Sequence, residues 1–395
     1  MRLTRLLALF GPAWIIMMAD VDASSVITAV SNGEIYGYGL IYLLLILSIP
    51  LFIIQDAMGR IGAALPGYGF GDIIRMKFSR KIALSASIPM FITDIFTYVV
   101  EYAGIGTGFL LVGIPLYISL PSIFLVHLSI LLLKEYRRIE KPLILLSFLL
   151  PLAFLSELIL RGTDHLRLSS LFYFSTSHSY AFFIAANVGA VIMPFMLFYQ
   201  SSATSYKYKM ENIKPEHGIP WVRKETLAGA VISELIMVVI EMGTTGIGNV
   251  KNILNAQDIS QSLTAIAGSF SPLFFGAGLI ISGFIALVTI SLGSSWGTLE
   301  SLGKYSDRNV VILYVFESLP AIIITVIFSS NFSIVNFVLY LMSLSPLILI
   351  IPGIMGGIIV SSKTLLGKYA YGKIMSMVYW VTLFLLISSG IISLI

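Results

Sequence analysis

Runs of apolar residues, each close to the roughly 20 that a helix needs to cross a bilayer core, follow one another along almost the whole chain. Eleven can be counted, near 7–30, 37–58, 83–110, 114–133, 142–160, 179–205, 225–246, 270–297, 309–329, 333–360 and 374–394. Hydrocarbon admits only backbones that satisfy their own polar groups, and runs of this length select helices over barrel strands. Only 11% of the residues are charged and 57% are hydrophobic, where a globular domain carries about 25% charge. No soluble core hides that much apolar surface, so the expectation is an all-α integral membrane protein of about eleven transmembrane helices. The connecting pieces are short. GFGDIIRMKF, within 61–80, reads as a short interfacial helix and QDISQSLTAIAG (257–268) as another surface helix. The stretches 161–178 and 206–223 read as the longest soluble pieces, and neither is long enough to be a domain. Residues 1–395 therefore form a single transmembrane domain.

Placing the N-terminus inside puts 21 of the 24 Lys and Arg residues in inner segments and leaves Arg161, Arg167 and Lys251 outside. Cytoplasmic loops carry such an excess, so the N-terminus is expected in the cytoplasm and the C-terminus outside. A wrong span count would scramble the alternation. Met1-Arg2-Leu3-Thr4-Arg5 leads straight into the first span, which is too long for the apolar region of a cleavable signal. The absence of cysteine excludes disulfides and thiolate chemistry. Basic residues sit in short loops, so the net charge of +4 points to no nucleic-acid partner. No phosphate-binding Gly-rich loop with Lys-Ser/Thr and no His-Glu-x-x-His occurs. Neither an enzyme nor a cofactor is expected, and the oligomeric state is left open, a monomer being sufficient.

One stretch breaks the apolar pattern. GPAWIIMMADVDASS (Gly11 to Ser25) carries Asp20 and Asp22 inside the first span, where a charge costs about 2.5–3.5 kcal/mol on insertion scales. Span 6, AANVGAVIMPFMLFYQSSATS, repeats the design: an apolar half, a breaker at Met193-Pro194, then a Ser/Thr-rich half. The two spans lie five apart and cross in opposite directions. Paired interrupted helices in corresponding places point to an inverted-repeat transporter and its binding site. The repeats fall at about 7–160 and 179–360, with an extra helix at 374–394. Breaking span 1 after Met18–Ala19 leaves free carbonyls at the end of a half-helix that favours cations. Asp22 offsets an ion's charge. Asp20, two residues earlier, points to another face and reads as its neighbour in the vestibule.

The run GP-x₉-D-x-x-S resembles the span-1 signature of the NRAMP divalent-metal transporters, in which Asp-Pro-Gly-Asn follows Gly-Pro at this distance. AVIMPFMLFYQSSA (190–203) resembles their Ala-x-x-Met-Pro-His motif. The resemblance covers nearly the whole chain and implies a leucine-transporter-like fold with helices 1 and 6 broken. It implies metal ligands at Asp22, Ser25, the Ala190 carbonyl and the Met193 thioether. There are departures: Asp22-Ala23-Ser24-Ser25 replaces Asp-Pro-Gly-Asn, and Phe195 stands where the family has His. ADxDASS with MPFMxFYQ, SNGEIYGYGLIYL (31–43) and VEYAGIGTG (100–108) are similar to the NRAMP-related magnesium transporter branch. Ser25 is shorter than Asn, which implies a wider site and an ion that keeps more water, as Mg²⁺ does. The soft Met193 sulfur argues for Mn²⁺ or Fe²⁺ unless water separates it from the ion. Phe195 cannot take a proton, and span 9 has no Lys or Arg after Arg308, so weak or absent proton coupling is expected. A 100 mV inside-negative potential contributes about 4.6 kcal/mol to a divalent ion crossing fully.

Asp94 and Glu101 lie seven apart on one face of span 3, and Glu234 and Glu241 repeat that spacing in span 7. Glu101, within the branch-like motif, is assigned to the ion vestibule with Asp94. Glu234, Glu241 and Glu317 read equally well as structural acids. Asn187 and Gln200 flank the span-6 break, and each either binds ion-held water or bridges helices. Gly33, Gly37, Gly39, Gly104 and Gly106 read as close helix contacts. Three functions remain in view: uptake of divalent metal (Mg²⁺ first, Mn²⁺ also, or a proton-coupled Mn²⁺/Fe²⁺ variant) at a prokaryotic cell membrane; an amino-acid or organic-cation transporter of the same fold, which Asp22 disfavours by repelling a substrate carboxylate; and an intramembrane enzyme or metal sensor.

Overall fold

The computed structural model describes residues 10–132, 136–162, 170–246, 256–328 and 334–394. Arg2, Arg5, Lys134, Arg167 and Lys251 of the charge count, and His165, lie outside these residues. The described chain is helical throughout: α1 Pro12–Ala19, α2 Ala23–Tyr36, α3 Ile41–Ala64, α4 Phe70–Lys77, α5 Arg80–Leu111, α6 Leu116–Leu132, α7 Tyr136–Arg161, α8 His178–Val191, α9 Pro194–Met210, α10 Pro215–Thr244, α11 Ala256–Ala267, α12 Ser271–Leu302, α13 Asp307–Phe328, α14 Ile334–Ile348, α15 Ile350–Ser361 and α16 Lys373–Ile392. Among the described residues nine helical stretches have the length and apolarity to cross a membrane, and α1 with α2 makes a tenth, bent by 44° at its break. The eleventh expected span is the 17-residue apolar helix α6.

Both surface helices are present, as α4 and α11. The stretch 206–223, read as a soluble piece, is largely helical: α9 continues to Met210 and α10 starts at Pro215. Pro215 supplies the fixed φ that suits a first helical position, and its missing N–H costs nothing there. Its Ser/Thr-free, lysine-bearing sequence is polar because it lies beyond the apolar part of both helices, not because it is unstructured.

The long helices α3, α5, α10 and α12 form the frame, with α5 against α12 and α10 against α3 as the most extensive pairings. The broken span α1–α2 is enclosed by α5, α7, α8, α9, α10, α12 and α14. Small residues allow the close approaches. A Cβ on Gly104 of α5 would come within 2.3 Å of the Ala23 Cβ, so α5 presses directly on the first residue of α2. A Cβ on Gly189 of α8 would come within 1.8 Å of the Met342 carbonyl oxygen on α14. That contact is with backbone, which cannot swing aside.

Gly189→Ala is accordingly expected to force α8 and α14 apart and to destabilise the protein by about 1–3 kcal/mol. Gly372→Ala, where a Cβ meets nothing within 4 Å, should leave the unfolding temperature of the detergent-solubilised protein unchanged. Equal melting of the two variants would refute this account of the α8–α14 contact.

Candidate functional site: the paired helix breaks

Span 1 opens because its sequence offers side-chain substitutes for backbone bonds. α1 starts with Pro12 after Gly11 and ends at Ala19, where the Asp20 N–H reaches the Ile16 carbonyl at 3.1 Å. Among the described backbone bonds, Val21 and Asp22 donate to no carbonyl. Asp22 then caps α2, its Oδ1 accepting from the Ser25 N–H at 2.7 Å and from the Ser24 hydroxyl at 2.6 Å. Such a cap satisfies donors that hydrocarbon would otherwise leave orphaned. The Ala23 N–H donates to Glu101 Oε2 at 3.1 Å, and the Glu101 carboxyl faces that of Asp22. Glu101 thus comes from α5 to the same helix end.

Span 6 breaks between Val191 and Pro194. The Ile192 N–H closes α8 on the Val188 carbonyl at 3.1 Å, and Met193 precedes Pro194, the first residue of α9. The two breaks meet: the Ser25 hydroxyl donates to the Ala190 carbonyl at 3.2 Å. Asp22, Ser25, Ala190 and Met193 are all at most 2% exposed, so this conformation closes the breaks to solvent. Asp22 Oδ2 and Glu101 Oε1 are buried there without a hydrogen-bond partner.

The remaining sequence candidates separate. Asp20 is buried with neither carboxylate oxygen hydrogen-bonded, and its charged neighbours are Asp22 and Glu234 of α10. Asp94 shares the α5 face with Glu101 but goes elsewhere, lining a pocket with Met193 and Pro194. Phe195 is fully buried, and its carbonyl abuts Gly293 of α12. Gln200 donates to the Thr226 hydroxyl of α10 at 3.4 Å and leaves its Oε1 buried and unpaired. Asn187 is fully engaged in an amide pair with Asn32, at 2.8 and 3.0 Å, and also donates to the Phe183 carbonyl at 2.8 Å. That pair bolts α2 to α8 one side of the breaks, and Glu241 accepts from Asn32 at 3.3 Å beside it.

Two anchors had no signal in the sequence beyond an acid near a span end. Glu225 accepts from the Trp14 N–H at 2.9 Å and from the Gly11 N–H, capping α1 from α10. Next to it Lys207 of α9 bonds Glu140 of α7 at 2.6 Å. Glu300 of α12 accepts from the Gly71 N–H at 3.0 Å, the Ser202 hydroxyl at 3.1 Å and the Tyr206 hydroxyl at 2.7 Å, joining α4, α9 and α12. Among the described residues no group of three or more His, Asp or Glu side chains forms a preassembled metal cage. What the breaks offer is one carboxylate pair, a hydroxyl, a thioether and free carbonyls.

A helical membrane bundle with two interrupted helices meeting at buried oxygen donors defines a transporter-type fold of the leucine-transporter kind. A crystal structure of the Eremococcus coleocola manganese transporter superposes with a TM-score of 0.80 over 98% of this chain and 86% of that one, at 18% identity. Mhp1, a nucleobase-cation-symport-1 family transporter, superposes with a TM-score of 0.56 over 98% and 90%, at 16% identity. The model of the natural resistance-associated macrophage protein-like (Nramp) family matches residues 13–395, and the chain belongs to that family. Its relatives include the divalent metal cation transporter MntH of Bacillus subtilis (strain 168), 24% identical over 98% of this chain and 91% of the relative. MntH of Yersinia pestis (strain Pestoides F) is 26% identical over 72% and 71%.

Replacing Glu225 with Ala strands the Gly11 and Trp14 N–H groups and should destabilise the protein by about 1–3 kcal/mol. Lys368→Ala, which removes an exposed pair with Glu216, should leave melting unchanged. Thermal unfolding of both variants in detergent checks this, and a wild-type melting curve for Glu225→Ala would contradict it.

Proposed function

We propose that the protein carries divalent metal ions across a prokaryotic cell membrane by alternating access, Mg²⁺ first and Mn²⁺ also, with weak or no proton coupling. The carrying observation is the facing pair Asp22 and Glu101, each with one buried oxygen lacking a donor, beside the Ser25–Ala190 contact. Two carboxylates in low dielectric repel unless a cation or proton lies between them. In this conformation Ser25 and Ala190 satisfy each other. An arriving ion exchanges that bond for coordination by the Ser25 oxygen, the Ala190 carbonyl and Asp22, with Glu101 behind and water completing the shell. Met193 stands at the second break as a ligand or a wall.

Mg²⁺ is favoured by the short Ser25 side chain and by oxygen donors that outnumber the single sulfur. The relatives named above support divalent metal as the substrate class, and the manganese transporter's name keeps Mn²⁺ as a cargo. Phe195 in place of a protonatable side chain, and the lack of Lys or Arg in α13 after Arg308, support the uncoupled mechanism. On this reading the N-terminus is cytoplasmic and the C-terminus extracellular, and residues 7–160 and 179–360 are the two repeats whose first helices carry the breaks.

The test is uptake of Mg²⁺, Mn²⁺ and Ca²⁺ into proteoliposomes with a simultaneous interior pH readout. Wild type should take up Mg²⁺ and Mn²⁺ without acidifying the interior, and Asp22→Ala should lose flux of both by at least tenfold, about 1.4 kcal/mol or more. Undiminished flux in Asp22→Ala overturns the site assignment. Acidification that tracks Mn²⁺ uptake overturns the uncoupled mechanism and favours proton-coupled Mn²⁺ transport.

A further inference from the structure

A second group of acids lies outside the breaks and has an opening of its own. Asp94, midway along α5, and Glu317, midway along α13, come together at Ser294 of α12. The Ser294 hydroxyl donates to Glu317 Oε1 at 2.7 Å and also lies against Asp94, whose charge acts on Glu317. Asp94 is 2% exposed and Glu317 is fully buried. On each, one oxygen, Asp94 Oδ2 and Glu317 Oε2, has no hydrogen-bond partner. No cationic side chain answers them. α5 beyond Lys81, all of α12 and α13 beyond Arg308 contain no Lys or Arg. The other titratable neighbours are Tyr98 and, a turn away on α12, His127 of α6, whose Nε2 is engaged with Ser291 at 3.0 Å.

Asp94 also opens into a small pocket lined by Thr93, Thr97, Ser345, Met193 and Pro194. Asp94 therefore belongs both to the acidic pair and to a pocket that touches the span-6 break. The polar groups on this pocket, the Asp94 carboxylate with Ser and Thr hydroxyls, are all oxygen donors, as is the Glu317 carboxylate behind Asp94 at Ser294. Such a set suits hard divalent cations that keep part of their water. One divalent ion neutralises the two carboxylates, where a lone proton would leave one of them charged.

We propose that Asp94, Glu317 and Ser294 form a second divalent-cation station, distinct from Asp22 and reached through the pocket it shares with Met193. The ion is held by both carboxylates, with Ser294 fixing their relative position and pocket water filling the remaining coordination. The station goes beyond the reading of the breaks as the transport site and does not require it. An ion resting here stands next to Met193, placed to exchange with one at the breaks.

Equilibrium Mn²⁺ binding to the full-length protein in nanodiscs, read from the electron paramagnetic resonance signal of free Mn²⁺, tests it. Wild type should bind two equivalents, both displaced by excess Mg²⁺. Asp94→Asn and Glu317→Gln preserve shape, and each should retain one equivalent and weaken the other by tenfold or more. Ser294→Ala should weaken the same equivalent by about tenfold, as loss of a ligand-orienting partner does. The retained equivalent certifies that each variant is folded. Asp22→Ala should remove the other one. Two equivalents of unchanged affinity in both Asp94→Asn and Glu317→Gln overturn the station, as does a single wild-type equivalent that survives both. An unchanged count in Asp22→Ala, with one equivalent lost in Asp94→Asn, overturns the reading of the breaks and leaves the station standing.

Discussion

Everything in this structure turns on how an interrupted helix survives in hydrocarbon. Breaking span 1 frees backbone donors and acceptors that water cannot reach, and each costs several kcal/mol if left alone. The donors at the start of α2 are met by carboxylates, Asp22 taking the Ser25 N–H and Glu101 the Ala23 N–H. The acceptor end of α8 is met by a hydroxyl, Ser25 on Ala190. The groups that hold the breaks together are thus the groups a cation would use. Each of these groups is satisfied by another part of the chain, which holds the two breaks together without making them a rigid cage.

The frame around the breaks anchors the two halves of span 1 separately. The start of α1 is held by Glu225 of α10, beside the Lys207–Glu140 pair that joins α9 to α7. α2 is held by the Asn32–Asn187 amide pair and by Glu241. Neither set of contacts uses residues 20–22, so the break is free to act as the joint between two independently fastened half-helices. The anchors are also of a kind that can be undone. They are few and polar, and in exposed form their groups return to water at little cost.

The breaks and the span pattern were legible because each rests on local chemistry. Asp20 and Asp22 in an apolar run, and Pro194 in another, announce themselves without a partner. Where the partner decides the role, sequence falls short. Asp94 and Glu101 share a helix face, yet seven residues is roughly 10 Å along the axis, enough for one to reach the α2 terminus and the other to reach Ser294. Asn187 looked equally suited to water and to a neighbouring helix, and Asn32, 155 residues away, decided it. Glu225 was invisible as an anchor because its acceptor role exists only once α1 starts beside α10. The helical start at Pro215 was not legible, since polarity near a helix end resembles polarity outside a helix.

The buried acids sort themselves by whether their oxygens are used. Glu157 takes the Ser271 hydroxyl on both oxygens, Glu225 takes two backbone donors, Glu241 takes Asn32 and the Leu40 N–H, and Glu300 takes three donors. Glu157, Glu241 and Glu300 lie near the ends of their own helices, and Glu225 lies against the start of α1. Asp56 has an unpaired oxygen but faces the Arg223 guanidinium at 4.0 Å. The acids with an unpaired buried oxygen and no basic partner are Asp20, Asp22, Asp94, Glu101, Glu234 and Glu317. They lie at the span-1 break or well inside α5, α10 and α13. A structural role explains the first set, since hydrogen bonds offset the burial of each carboxylate. In the second set at least one oxygen of each stays unsatisfied even where the other holds a neighbour, and a mid-membrane carboxylate in that state is costly. The property that separates them is unmet demand for positive charge, and it is concentrated in the interior of the bundle.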